Sequence, residues 1–478
     1  MHSLCYRLLG KPEIADTKTA QWNEEHPNMV LDLKVKGSKQ DAFVESSGGS
    51  RSTKVYEAIG LARARMIEPE LWIGDMQRFY DAWCKWKEEN ALIDFTDMIA
   101  YVLRDEMRPD PAVRVACFDE VQDFSKMELQ LARMWGEGME YVVLVGDPDQ
   151  AIFEWRGASP RDFLEPEVPQ EQIRILNQSF RVPKAVHSVA TSWIERCSYR
   201  FPTEYNARDA DGQVQYMQNT SYQQPSILVA EVEACIEREE SCMFLASCGY
   251  MLAPVIKELK RLGLPFHNPY AQLNGAWNPL RARNRMNAYL IGSRAAFGNN
   301  ARMWTWGEMW AWIEIAEASG LLRSGAKTRI KEKAKDEFTS NLEPEIDDLE
   351  DTFSSGAFES MMTALEEPER GPDVQWLLAH VLASKQKLVE YTARVYERFG
   401  VFALHKDPIA IVGTIHSVKG AEAHTVFVAP DLSKQGALQW AGTPEQHDSV
   451  LRVFYVAFTR ARERLVLLGR SGGWAVQW

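Results

Sequence analysis

The sequence predicts an α/β protein built on parallel sheets, and three observations carry that prediction. Short β-rich apolar runs alternate with helical patterns: Val113 to Phe118, a helical stretch around Met127 to Trp135, then Tyr141 to Val145. Such alternation implies parallel strands joined by crossover helices. A second set of runs, Cys242 to Ala246, Ile409 to Ile415, Val426 to Ala429 and Leu465 to Leu468, with a helical pattern from Met251 to Leu262 after the first, implies a second α/β core. Within that core, the stretch from about Asn268 to Lys406 is mostly helical in pattern and includes the acidic tract Glu343 to Asp351, which fits a helical insertion.

With 478 residues, 45% of them hydrophobic, the chain can bury several cores. The longest apolar runs are a strand long, far short of the roughly 20 residues a membrane helix needs, so no membrane partner is expected. Met1-His-Ser-Leu-Cys-Tyr-Arg7 shows no secretory pattern, and a soluble, cytoplasmic protein is the expectation. Cys5, Cys84, Cys117, Cys197, Cys235, Cys242 and Cys248 lack paired Cys-x-x-Cys spacing, so reduced structural thiols are expected in place of a zinc or redox site. A net charge of -13 excludes a generally basic nucleic-acid coat; DNA would need a local groove.

Between Asp16 and Lys54 the chain is polar and charged, no core is expected, and Glu45 to Thr53 reads as a mobile loop. Met76, Phe79, Trp83 and Trp86 then recur at helical spacing, and Ile93 to Val102 continues the period, predicting an amphipathic helical region.

In Val115-Ala-Cys-Phe-Asp119-Glu120-Val-Gln122-Asp123, two carboxylates directly follow a buried-strand pattern, at the carboxyl edge where α/β sheets bind ligands. The first can hold magnesium through its water shell, and the second can orient or deprotonate an attacking water in phosphoryl transfer. On spacing alone, Asp-Glu after a strand also reads as a solvated turn. The arrangement repeats in Val143-Leu-Val-Gly146-Asp147-Pro-Asp149-Gln150-Ala-Ile-Phe153-Glu-Trp155-Arg156-Gly157-Ala158, which adds aromatics beside an arginine.

Together these segments resemble the second and third motifs of the UvrD/Rep family of superfamily 1 DNA helicases, Asp-Glu-x-Gln-Asp and Gly-Asp-x-x-Gln-Ser-Ile-Tyr-x-Trp-Arg-Gly-Ala. Further segments follow in the family's order: Asn177-Gln178-Ser-Phe180-Arg181, then Gly413-Thr414-Ile-His416-Ser417-Val-Lys419-Gly420-Ala-Glu422, then Arg452-Val-Phe-Tyr455-Val-Ala-Phe-Thr459-Arg460-Ala461. The resemblance implies two RecA-like parallel-sheet domains with helical insertions, the first domain truncated at its N-terminus. It places residues 1-10 and 94-185 in the first motor domain, 11-93 in its insertion, 186-268 and 405-478 in the second motor domain, and 269-404 in that domain's insertion.

The resemblance also implies ATP and Mg2+ as cofactors, with Asp119 on the metal and Glu120 on the water. Gln150 would sense the terminal phosphate, although a turn-capping amide is the plainer reading. Arg181 and Arg460 match arginines that reach the γ-phosphate, where a planar five-donor cation suits the transition-state charge; either alone reads as a surface ion pair. Phe180 stands where the family often has an adenine-stacking tyrosine, and without the family it reads as a core aromatic. Glu422 would accept from ribose hydroxyls, and Gly420 belongs to the same cofactor-binding segment.

For single-stranded or partial-duplex DNA, Phe153 and Trp155 would project to one side of an extended segment and stack on bases, with Arg156 as a phosphate or cation–π contact. An aromatic pair between the two cores is the plainer alternative. His2 and Ser3 resemble an element that touches the DNA backbone, and Thr414 and His416 lie in a segment linking DNA contact to the phosphate sensor. A hydrogen-bonded loop histidine is the plainer reading of His416.

The family's Gly-x-x-x-x-Gly-Lys-Ser/Thr loop is expected upstream of Met1, since it precedes the His-Ser element, and a separate polypeptide is one way to supply it. Gly320-Leu-Leu-Arg-Ser-Gly325-Ala-Lys327-Thr328 is a decoy that reads as a helix stop and restart. Relatives commonly carry an arginine near Ala246-Ser247-Cys248, and acidic and basic residues where this chain has Asp448 to Leu451. Two functions follow: an ATP-dependent DNA helicase or translocase, 3′ to 5′ by family, or a non-hydrolysing DNA-binding or regulatory protein that keeps the motor fold.

Overall fold

The computed structural model describes residues 1–32, 50–201, 203–269, 288–290, 304–365, 373–400 and 402–478. No described helix is long and apolar enough to cross a membrane. The seven cysteines are all free thiols. The chain divides into two compact units: Met1–Gln223 with Cys242–Leu252 and Gly413–Trp478, and Gln224–Ser241 with Ala253–Val412.

The first unit begins with an aromatic core. Helix Met76–Glu89 buries Met76, Phe79, Trp83 and Trp86 on one face, as their spacing predicts. The expectation of no core between Asp16 and Lys54 is corrected, because Trp22, on helix Thr19–Glu25, is completely buried. Its ring meets Trp83 at 5.0 Å and Trp86 at 5.4 Å, and its indole N–H donates to the Met29 carbonyl at 2.7 Å. That donor is satisfied, so the largest side chain can be buried without a polar penalty. The expected loop is also shortened: Ser50 caps helix Arg51–Ala64 by accepting from the Thr53 N–H, which places Arg51 to Thr53 in the first turn. Residues 45–49 of that loop lie outside the described residues.

Beside this core, Asp94 starts helix Phe95–Arg104 with a reciprocal capping box to Asp97. Its carboxylate also accepts from Arg63 at 3.1 Å, Lys87 at 2.6 Å and the Trp83 indole at 3.0 Å. Burial alone would push this carboxyl up, but Arg63 and Lys87 pull it well below the usual range. The short strands β1 (Glu13–Ile14) and β2 (Leu92–Ile93) pair in parallel next to it.

Strands β3 (Val115–Phe118) and β4 (Tyr141–Leu144) pair in parallel, joined by helix Lys126–Gly136, the crossover the sequence implied. The buried-strand expectation for β3 is corrected: Val115, Tyr141, Val142 and Val143 are 41–67% exposed. Successive residues of β4 point to opposite faces and are exposed on both. The physical reason is that β3 and β4 form a sheet of only two strands among the described residues, whereas parallel strands normally sit under helices on both sides.

Strands β5 (Gln178–Pro183) and β6 (Asn206–Arg208) form another parallel pair. The main sheet has the order β7 (Gln213–Met217), β11 (Ala461–Leu468), β10 (Ala423–Val428), β8 (Cys242–Ala246), β9 (Ala410–Thr414). Strands β7, β11, β10 and β8 run parallel, and Gly413 and Thr414 of β9 belong to this unit. Helix Pro444–Phe458 opens with a Thr443–Gln446 capping box and is buried at every residue from Val450 to Phe458. Trp193 packs on its Phe458 at 5.4 Å and donates to the Leu451 carbonyl at 2.9 Å. Asp448 is buried and accepts from the Ser198 and Tyr199 amides.

In the second unit most of the described elements are helices, including Trp306–Ile313, Ala326–Lys335, Ser355–Leu365 and Glu390–Phe399. Trp304, Trp312 and Phe353 are buried within it. Gly325 adopts a left-handed conformation and starts helix Ala326–Lys335, while the Lys327 ammonium donates to the Ala316 carbonyl at 3.0 Å. The decoy is therefore a helix restart, as expected.

Candidate nucleotide and nucleic-acid site

Where β3 ends, Glu120 takes a left-handed conformation at φ 53°, unusual for a residue with a side chain. The turn leaves Asp119 and Glu120 exposed, and Asp119 accepts from the Glu120 amide at 2.9 Å. Gln122 orients Glu120 by donating to its carboxylate at 2.6 Å, and accepts in turn from the Asp147 amide at 3.1 Å. Glycine before Asp147 leaves room for this contact: a Cβ on Gly146 would lie 2.5 Å from the Gln122 side-chain amide oxygen and would displace it.

The line continues through Asp147, which accepts from the Gln150 amide group at 2.7 Å, and through Gln150, whose oxygen accepts from Arg460 at 3.0 Å. Arg460 is 1% exposed, follows the buried helix Pro444–Phe458, and donates also to the Val456 carbonyl at 2.9 Å. Burial, then the charge of Arg181, lowers its pKa to about 9, so it stays a cation at neutral pH. Arg181 keeps a buried Nε without a hydrogen-bond partner. Two guanidinium groups thus raise each other's cost, with Glu120 among the charges that offset it for Arg460. An anion is the species that such a pair would stabilise.

The sequence reading missed Lys419 as a site residue. Its ammonium pairs with Asp123 at 2.5 Å, approaches Glu120 at 3.4 Å and donates to the Gln150 carbonyl at 2.8 Å. Motif spacing carries no sign of this, since Lys419 and Asp123 are 296 positions apart. Burial raises the Asp123 carboxyl, and Lys419 opposes that shift.

Phe153 and Trp155 do not lie on an extended segment, which corrects that expectation. Phe153 precedes the 3-10 turn Glu154–Arg156, which Gly157 closes at φ 95°. The two rings still come within 6.3 Å of each other, and both are half-buried. Arg156 is exposed, its guanidinium 5.9 Å from the Phe153 ring centre. His416 is buried and faces the same ring at 5.9 Å; burial lowers its pKa to about 4, so it is neutral at physiological pH. Thr414 is fully buried and its hydroxyl accepts from the Ser417 amide at 3.4 Å.

Phe180 is 85% exposed on β5, free to receive a planar ring on its face, and the core-aromatic alternative is excluded. Glu422 is exposed and paired with Arg462 at 3.0 Å. Gly420, at φ 84°, makes the left-handed turn between Lys419 and that carboxylate. His2 lies 3.8 Å from Glu128 and is held below its ordinary pKa by burial, while Ser3 is exposed on helix His2–Leu8.

No group of three or more His, Cys, Asp or Glu side chains that could hold a metal occurs among the described residues. Exposed oxygen donors at Asp119 and Glu120 fit a hard cation such as Mg2+, which keeps several waters and shares phosphate oxygens, better than a closed protein cage would. The Arg181 Nε without a partner fits a phosphate oxygen.

The model of the UvrD/REP helicase N-terminal domain matches residues 1–169. The putative ATP-dependent DNA helicase YjcD of Bacillus subtilis is 25% identical over 232 residues, covering 45% of this chain and 30% of its own length. The ATP-dependent DNA helicase PcrA of Bacillus subtilis is 26% identical over 178 residues, 33% of this chain and 24% of its own. The Rep helicase of Buchnera aphidicola is 27% identical over 126 residues, 24% of this chain and 19% of its own. The chain thus spans less than a third of the length of these relatives. With the Asp119–Glu120 and Gly146–Ala158 segments inside the matched region, residues 1–169 are similar to the N-terminal domain of UvrD/Rep helicases, and the chain resembles that family of superfamily 1.

Proposed function

We propose that the chain forms part of an ATP-dependent DNA translocase and helicase of UvrD type, moving 3′ to 5′ on single-stranded DNA. The observation that carries this reading is the hydrogen-bonded line from Glu120 through Gln122, Asp147 and Gln150 to Arg460, with Arg181 beside it. It joins the carboxylate suited to activate water to the cations suited to the γ-phosphate charge. Asp119 would hold Mg2+ through its waters; Phe180 and Glu422 would take the adenine and ribose, beside Gly420. Bound magnesium would neutralise charge on the phosphates.

Residues 1–10 with 94–185 and 186–268 with 405–478 are proposed as the two motor cores, and 11–93 and 269–404 as their insertions. The phosphate grip would come from a Gly-Lys-Ser/Thr segment outside residues 1–478, covalently upstream or as a separate polypeptide. An added parallel strand and its helix would cover the apolar surface that β3 and β4 expose.

On the DNA side, Phe153 and Trp155 would stack on bases while Arg156, His2 and Ser3 face the backbone, with His416 and Thr414 supporting from beneath. Phe153→Ala and Trp155→Ala are each expected to weaken binding of a single-stranded oligonucleotide by about 1–3 kcal/mol, read by fluorescence anisotropy. Unchanged affinity in both variants would sink the assignment of the track.

A further inference from the structure

The network above leaves one buried cation whose contacts run in two directions. Lys419 is 9% exposed, and its ammonium touches Asp123 and Glu120 on one side and the Gln150 carbonyl on the other. The same ammonium sits 5.5 Å from the centre of the Phe153 ring. It is delivered by the 3-10 turn His416–Val418, from which His416 also meets Phe153.

We propose that Lys419 is a positioning residue that ties the base-stacking segment Gln150–Phe153 to the carboxylates Asp123 and Glu120, so that DNA and the hydrolytic pair share one anchor. This rests on the proposed function for the identity of the two sides. An ammonium carries three donors, two of them directed at Asp123 and the Gln150 carbonyl, which leaves little for a phosphate. A compact point charge can also lie against a ring face while keeping its hydrogen bonds.

A positioning role and a phosphate contact differ in their salt dependence. A lysine that neutralises a phosphate releases a counterion, so losing it lowers the slope of log affinity against log salt by about one. Losing a residue that only places Phe153 lowers affinity and leaves the slope alone.

The test is equilibrium anisotropy with a labelled oligothymidine and the full chain over a range of salt. Lys419→Met is expected to weaken binding on the order of tenfold, within the range of one stacking contact, at unchanged slope. Asp123→Asn, which touches Lys419 and not the track, is expected to weaken binding by about threefold in the parent chain and to add nothing in the Lys419→Met background. Unchanged affinity in Lys419→Met, a slope reduced by about one, or additive effects of the two substitutions would each overturn the proposal. If Lys419→Met alone fails to fold because Asp123 is left without its counter-charge, the double variant Lys419→Met/Asp123→Asn must show the same tenfold loss at unchanged slope. Failure of the parent chain to bind would instead remove the proposed function, and this role with it.

Discussion

Glu120→Gln is expected to lower DNA-stimulated ATP turnover by about 10²–10⁴-fold, the usual weight of a positioned general base. The geometry argues for this size. Glu120 is exposed, directed outward by a left-handed backbone, and held by a hydrogen bond from Gln122 beside the Lys419 ammonium at 3.4 Å, so glutamine keeps the shape and loses the charge and the basic oxygen. The measurement is steady-state phosphate release from the chain with its phosphate-gripping segment supplied upstream or as a second chain. Residues 1–478 alone are expected to hydrolyse ATP slowly, because the amides and lysine that hold the β- and γ-phosphates would be missing. Persistent turnover in Glu120→Gln would refute the role of Glu120. Ordinary helicase rates from residues 1–478 alone would refute an external phosphate grip.

The second large effect concerns folding. Asp94→Ala is expected to destabilise the first unit by about 3–5 kcal/mol, since it strands buried charges. Arg63 and Lys87 now share two carboxylates, Asp94 and Asp97, in a site where the Arg63, Lys87, Asp94 and Asp97 side chains are each at most 10% exposed. Removing Asp94 leaves two cations on one anion, frees the Trp83 indole N–H and deletes the cap of helix Phe95–Arg104. Denaturant unfolding followed by tryptophan emission would report it, because Trp22, Trp83 and Trp86 form the adjoining core. A loss under about 1 kcal/mol, the scale of a surface pair, would show that the cluster is not a load on the fold.

What was legible in the sequence was local. The runs that became β3, β4, β8, β9, β10 and β11 are short apolar stretches, and the face of helix Met76–Glu89 repeats with the helical period, so each announces itself within a dozen residues. Strands β5, β6 and β7 escaped because Gln178, Asn206 and Gln213 open polar segments with no apolar run. Trp22 escaped for a related reason: a lone tryptophan among charges gains much of its burial from Phe79, Trp83 and Trp86, which are remote in sequence.

At the site, Asp119, Glu120, Gln150, Arg181 and Arg460 could be named because each sits in a short segment of recognisable order. Their partners could not. Gln122 over Gly146 and Lys419 between Asp123 and the Gln150 carbonyl are contacts between segments, fixed by how strands end and turn, and no spacing rule encodes them. The conformation around Phe153 and Trp155 was misread because aromatic residues two apart fit an extended strand, while Gly157 and the Glu154–Arg156 turn impose a tighter path.

The most direct test of a nucleic-acid motor in this chain is its affinity for a single-stranded oligonucleotide as salt is raised. The net charge of -13 makes the sign informative. A local cationic and aromatic track predicts measurable binding at low salt that weakens steadily between about 50 and 200 mM as counterions are released. No binding at low salt, or an affinity that stays constant or rises with salt, would contradict the account.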